Sequence, residues 1–250
     1  LRYFIEISYK GTRYHGWQVQ QNAHTVQEEI QRALGILLRQ EISITGSGRT
    51  DTGVHALQQF AHFDASHGSD TRQLAYRLNS LLPPDIAISR VFTVRTDAHA
   101  RFDATERAYI YRIHQQKNPF LQEQSYYFSQ PLSLNNMNKA AGVLTKAGST
   151  DFSCFSKVKS SQKTHICRIS QAYWQADSDL AVSFHISADR FLRGMVRAMV
   201  GTLLEIGTGR RSVSSLKEVI DSRDRRRAGR SVPPEGLYLS RVLYPEDIFG

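Results

Sequence analysis

Two hydrophobic periods take turns along this chain, and their order leaves few architectures open. Residues 2–9, Arg-Tyr-Phe-Ile-Glu-Ile-Ser-Tyr, are dominated by β-branched and aromatic side chains and run into a Lys-Gly-Thr turn, which predicts a first strand. Thr25-Val-Gln-Glu28 then has the form of a capping box. Val26, Ile30, Ala33, Leu34, Leu37 and Leu38 recur behind it at helical spacing, predicting a helix of about 15 residues. Strands over Ile42–Ser47 and Leu57–Asp64, a helix over Asp70–Leu81 and a strand over Asp85–Val94 complete a mixed first half. A comparable set follows: strand Ala104–His114, helix Ser133–Lys146, strands Ile166–Gln175 and Leu180–Ser187, and a helix from Asp189 to Ile206. The expectation is an α/β (α+β) protein of two domains, 1–104 and 105–250. The architecture is duplicated in element order but not in sequence, and Pro83-Pro84 is a turn rather than a boundary.

Charge narrows the partner. The 32 basic and 23 acidic side chains leave a net charge of +9. Residues 1–100 hold 10 basic and 9 acidic groups against 22 and 14 in 101–250, so the excess lies in the later part. Arginines number 24 against 8 lysines, and a planar guanidinium grips phosphate through paired hydrogen bonds or stacks on a base. That composition suits RNA better than a membrane surface. Apolar stretches such as Phe4–Ile7 and Ala87–Val94 fall far short of the roughly 20 residues a membrane span requires. Glu6 interrupts the first apolar run and no small-residue cleavage pattern follows, so no signal peptide is read and a cytoplasmic location is expected. Cys154 and Cys167 fit neither a disulfide framework nor a CxxC site and are expected as buried small hydrophobes.

Four segments could carry chemistry. Gly46-Ser-Gly-Arg-Thr-Asp-Thr-Gly53 joins two predicted strands but lacks the lysine and spacing of a phosphate-binding loop. Read as a plain turn it does nothing more. Read functionally, it sets Asp51 between Arg49 and His55, where a neighbouring cation would keep the carboxylate ionised as a nucleophile or base requires. No second carboxylate lies in the loop, so the paired acids of a glycosidase are not visible there. In Arg107–Ile113 the two-residue period sends Tyr109, Tyr111 and Ile113 to one sheet face, as core packing or as a stacking ring for an extruded base. Arg190, Arg193 and Arg197 recur on the helix that Asp189 would cap, with Arg197 in apolar surroundings that call for an anionic partner. Arg223-Asp-Arg-Arg-Arg-Ala-Gly-Arg230 is either a solvated loop or a phosphate clamp. A non-catalytic RNA-binding protein and a metal-dependent nuclease using scattered Asp and His residues remain rivals at this point.

Taken together and in order, these segments resemble the TruA family of tRNA pseudouridine synthases. The resemblance rests on Tyr14-His-Gly-Trp-Gln18, Thr25-Val-Gln-Glu28, Gly48-Arg-Thr-Asp-Thr-Gly-Val-His55, His99-Ala-Arg-Phe102, Arg107-Ala-Tyr-Ile-Tyr111, Met195-Val-Arg197 with Val200-Gly201, and Glu235-Gly-Leu-Tyr-Leu239. It implies that Asp51 is the catalytic aspartate, with Arg49 its loop partner, Tyr109 against the target uracil and Arg197 paired with the aspartate. It also implies two ferredoxin-like α/β domains with a central, largely antiparallel sheet and an active-site cleft between them. Family members act as homodimers on tRNA and convert uridines at positions 38, 39 and/or 40 of the anticodon stem-loop, with no metal or organic cofactor. Two departures stand out: Thr52 replaces an alanine common in the family, and Arg193-Gly194 replaces a frequent pair of histidines. Neither touches the four site positions, so they bear only on RNA contacts, as do the loops Gln20–His24 and Ser156–His165.

Overall fold

The apolar, β-branched start of the chain forms β1 (Arg2–Tyr9), and everything in the first half is arranged around it. The structure, a computed structural model, describes residues 1–66, 68, 70–157 and 164–249. Its residues group into two units, Leu1–Glu106 with Tyr238–Gly250, and Arg107–Leu237.

In the first unit β1 is followed by α1 (Val26–Leu38), β2 (Thr45–Gly46), β3 (His55–Asp64), α2 (Thr71–Leu81) and β4 (Ile86–Val94). β1 lies between β3 and β4 and is antiparallel to both, with Ile5 opposite Ala61 on one side and Val91 on the other. β2 adds antiparallel to the other edge of β3, which gives the βαββαβ ferredoxin-like order. β10 (Leu237–Leu243) runs parallel to β3, pairing Tyr238 with His55 and Leu239 with Ala56. As the central strand, β1 keeps Phe4, Ile5 and Ile7 fully buried. The Thr25 hydroxyl accepts the Glu28 amide, and the Asp70 carboxylate accepts those of Arg72 and Gln73, so both helices start where capping residues stand.

Only Thr45–Gly46 of the strand expected over Ile42–Ser47 joins the ladder. Ile42 and Ile44 are buried in alternation with exposed neighbours, which is the pattern of a strand. The Ile44 backbone, however, bonds to glutamine side chains of α1. Its amide donates to Gln31 Oε1 (3.1 Å) and its carbonyl accepts Gln27 Nε2 (2.8 Å). Side-chain amides here take the place of a neighbouring strand.

The second unit contains most of β5 (Glu106–His114), then β6 (Tyr126–Tyr127), α3 (Leu134–Lys146), β7 (Ser149–Asp151), β8 (Ile166–Ser178), β9 (Ala181–Ala188), α4 (Met195–Gly207) and α5 (Ser215–Ser222). β5, β9, β8 and β7 neighbour one another in that order and pair antiparallel, while β6 pairs parallel with β5. Tyr111, Phe184 and Trp174 form one buried row across β5, β9 and β8. The Asn138 side chain ties α3 to this sheet by bonding both the amide (2.8 Å) and the carbonyl (3.0 Å) of Trp174.

The helix expected from Asp189 begins only at Met195. Asp189 does not cap it, because its Oδ1 accepts the amides of Arg168 (2.8 Å) and Arg190 (2.7 Å) and so closes the end of the β8–β9 hairpin. Gly194, with φ of 72°, turns the chain into the helix. Arg190 and Arg193 therefore precede α4, only Arg197 stands on it, and there is no arginine stripe. The periodicity reading also leaves out α5 and β10.

Candidate active site

Segment 47–55 is held along its length by backbone and side-chain bonds within the first unit. At its start, Ser47 N donates to Phe60 O (2.7 Å) and Gln59 Nε2 to Gly48 O (3.0 Å), while Gln59 Oε1 accepts the Ser47 hydroxyl (3.1 Å). In the middle, Trp17 N donates to Thr50 O (3.2 Å), and the Tyr9 and Thr50 hydroxyls share a hydrogen bond of 2.8 Å. Val54 N then donates to Asp51 O (3.1 Å) and Gly53 N to Tyr14 O (3.3 Å), closing a tight turn directly after the aspartate. At the far end Gly11 N donates to His55 Nδ1 (2.9 Å). On this backbone Asp51 is half-buried, and Arg49 and Thr52 are exposed.

Two sequence expectations change in detail. His55 was a candidate cation beside Asp51, but its Nδ1 accepts a hydrogen bond, which only the neutral ring can do. Buried at 1% exposure and with its ring 4.6 Å from that of Tyr238, it fixes the end of the loop as a neutral imidazole protonated on Nε2. The glycines of the loop also differ in purpose. Gly53 takes a φ of 77°, which a residue with a Cβ rarely adopts. At Gly46 a Cβ would lie 2.5 Å from the Trp17 indole, whereas Gly48 has open space around it.

The cradle for this loop is Gly11–Trp17, whose part sequence reasoning missed. Gly16 has a φ of 89° and packs directly against the Thr50–Thr52 backbone. Its neighbour Tyr14 donates its hydroxyl to Asp85 Oδ1 (2.6 Å), and burial, then that carboxylate, pushes its phenol well above the usual value. A glycine flanked by aromatics just after a strand was the available sign.

In the second unit Tyr109 is half-buried on β5, with the Phe191 ring edge-on at 5.1 Å. Phe191 stands on the segment preceding α4. Tyr111 is fully buried, donates its hydroxyl to Pro233 O (2.8 Å), and has its phenol raised by burial. Arg197 is half-buried; its Nε donates to Val232 O (2.6 Å) and its own carbonyl accepts Val232 N (3.1 Å), which joins α4 to the segment 231–233. Arg49 and Asp51 thus belong to the first unit, and Tyr109 and Arg197 to the second.

The basic segment 223–230 divides by role. Arg225 donates to the carbonyls of Ala228 (3.4 Å) and Gly229 (3.0 Å) and to Ser231 Oγ (3.0 Å), so it shapes the loop from within. Arg226 is 91% exposed and forks onto the Asp224 carboxylate, and Arg227 is also exposed. Of the loop Ser156–His165, residues 158–163 lie outside the described residues. Cys154 and Cys167 are both buried and unbridged, and burial pushes each thiol up to about 12. Among the described residues no group of three or more His, Cys, Asp or Glu side chains is placed to hold a metal ion. No described helix is long and apolar enough to cross a membrane.

Residues 6–103 and 146–245 match a protein family described as tRNA pseudouridine synthase. The chain is 49% identical over 250 residues to tRNA pseudouridine synthase A of Bacteroides thetaiotaomicron, covering 99% of this chain and 92% of that protein. It is 45% identical to the protein of the same name from Porphyromonas gingivalis, over 99% of both chains. With the one from Acetivibrio thermocellus it shares 42% identity, over 95% of this chain and 97% of that protein.

Proposed function

The chain belongs to the tRNA pseudouridine synthase family, and we propose that it isomerises uridine to pseudouridine at positions 38, 39 and/or 40 of the tRNA anticodon stem-loop. The observation that carries this reading is the fixed Asp51 loop inside a near full-length match to enzymes of that name.

The reaction breaks the bond from ribose C1′ to uracil N1, turns the base, and joins C1′ to C5. C5 gives up a proton and N1 takes one, so composition and oxidation state are unchanged and no cofactor is required. The target uridine is extruded from the RNA stack. Tyr109 stacks on it, and the Asp51 carboxylate opens the glycosidic bond. Arg49, exposed one residue short of the buried Thr50, contacts the RNA beside the aspartate. Attack of the carboxylate on C1′, attack on uracil C6 and removal of a sugar proton are three possible openings for this chemistry.

The functional division falls near residue 104, with the catalytic loop before it and a basic RNA-binding surface after it. The excess of basic over acidic side chains in 101–250, 22 against 14, supports that assignment. The protein works as a homodimer in the cytoplasm. Mapping pseudouridine in tRNA before and after incubation with the pure protein, with a chelator present, tests the reading. New pseudouridine in the anticodon stem-loop is expected. Intact RNA without pseudouridine would leave an RNA-binding protein, and cleaved RNA would indicate a nuclease.

A further inference from the structure

The turn Ala98–Asp103 carries an exposed aromatic ring on a backbone bonded at almost every residue. Arg2 Nη1 donates to Ala98 O (2.9 Å), His99 N to Asp103 Oδ2 (2.8 Å), and Ala100 N to His62 Nδ1 (3.1 Å). The amides of Arg101 (3.1 Å) and Phe102 (3.3 Å) both donate to His99 Nδ1, and the Tyr244 hydroxyl donates to Ala100 O. Arg95 adds an ion pair to Asp103.

The rings form a column from core to surface. Buried Phe4 lies 6.1 Å from His62, His62 lies 4.7 Å from His99, and His99 lies 4.2 Å from Phe102. Burial, followed by the nearby His99 and Arg2 charges, holds His62 down to about 4, and burial also lowers His99. At neutral pH the column is therefore uncharged. It ends at Phe102, a residue 75% exposed, with the Arg101 guanidinium carbon over its ring, 5.8 Å from the centroid.

Leaving a phenylalanine in water forgoes the gain of burying its ring. The bonds beneath it bury Ala98 and Ala100 in the core, but that burial does not call for an aromatic ring at the exposed position 102. A pre-positioned ring does, however, remove the ordering penalty when a flat partner lands on it. The cation over the ring adds charge complementarity for a partner that carries phosphate next to each flat group.

We propose that Phe102 is a stacking platform for a nucleobase of the RNA substrate, with the Arg101 guanidinium taking the adjoining phosphate. The choice of RNA as the occupant rests on the function proposed above.

The test is the affinity of the full chain for an unmodified tRNA transcript, measured across a salt series. Phe102→Ala should weaken binding by roughly five- to a hundredfold, the range of one lost base stack. Phe102→Trp should retain wild-type affinity, and Phe102→Leu should stay near the alanine level. Arg101→Gln should reduce the slope of log affinity against log salt by about one. Because the ring is exposed, the melting temperature should not move. Wild-type affinity for Phe102→Ala would overturn the proposal, as would leucine restoring binding as well as tryptophan. A change of sedimentation coefficient in Phe102→Ala without RNA would overturn it too, since it would place a second protein copy on the ring. Pseudouridine formation, followed in parallel, separates the two readings. Ring-dependent binding without any product in the wild type defeats the proposed activity and leaves the platform standing, and absence of tRNA binding by the wild type defeats both.

Discussion

Replacing Gly16 by alanine should slow the chemistry far more than it weakens RNA binding. Gly16 sits at φ of 89°, where a residue with a Cβ is strained by about 1–2 kcal/mol. A Cβ built there would lie 2.4 Å from the Thr50 carbonyl oxygen, 3.2 Å from the Asp51 carbonyl carbon and 3.3 Å from Thr52 N. Restoring ordinary contact distances requires a displacement of about 1 Å between the Tyr14–Trp17 and Thr50–Thr52 backbones. That movement strains the Trp17 N to Thr50 O and Gly53 N to Tyr14 O bonds, at about 1 kcal/mol each. It also carries the Asp51 carboxylate with it. A misplacement of this size at a reacting group lowers rates by about a hundredfold, or roughly 2.7 kcal/mol of barrier. The assay is single-turnover pseudouridine formation with saturating enzyme, run below the melting transition, alongside equilibrium tRNA binding. The expected result is a hundredfold slower step, affinity within a few-fold of wild type, and a melting temperature lower by roughly 6–16 °C. A folded variant with the wild-type rate would refute the idea that Gly16 sets the position of Asp51.

Other perturbations have distinct expected outcomes. His62 has its folded value lowered to about 4 from an ordinary value near 6.5, so across that window the unfolded chain binds the extra proton and stability falls as pH falls. His62→Gln, which can still accept the Ala100 amide, should flatten the melting-temperature profile between those limits. Arg225→Gln should reduce stability by about 1.5–3 kcal/mol through lost charged hydrogen bonds, read by denaturant titration. Arg226→Gln should leave stability unchanged and reduce the salt slope of tRNA binding by about one if that exposed cation meets a phosphate. Gly142, inside α3 with open space at its Cβ position, should tolerate alanine with a gain of about 0.5–1 kcal/mol and unchanged activity.

Local patterns were readable where one segment determines its own state. The period of two in Arg2–Tyr9 and the capping residues Thr25, Asp70 and Ser133 placed a strand and three helices close to where they stand. Two misses share a cause, namely that the deciding partner lies far along the chain. Ile42–Ile44 has the alternation of a strand, but its hydrogen bonds go to Gln27 and Gln31. Asp189 has the chemistry of a helix cap, but Arg168, distant in sequence, takes its carboxylate, and the start of α4 passes to Gly194. Helix α5 has only Leu216, Val219 and Ile220 to mark a face, too short a run to establish a period. In the site, the flanking residues made Asp51 a candidate but left a plain turn open, and the resemblance implied its catalytic role. The bonds that hold it from Tyr9, Tyr14 and Trp17 are contacts between distant segments that no local pattern records.

The most direct trial of the account compares wild type with Asp51→Asn on one tRNA transcript, scoring bound RNA and newly formed pseudouridine together. The variant should bind within a few-fold of wild type and form no pseudouridine, while the wild type converts uridine in the anticodon stem-loop. Conversion by Asp51→Asn at the wild-type rate would contradict the claim that this carboxylate performs the reaction.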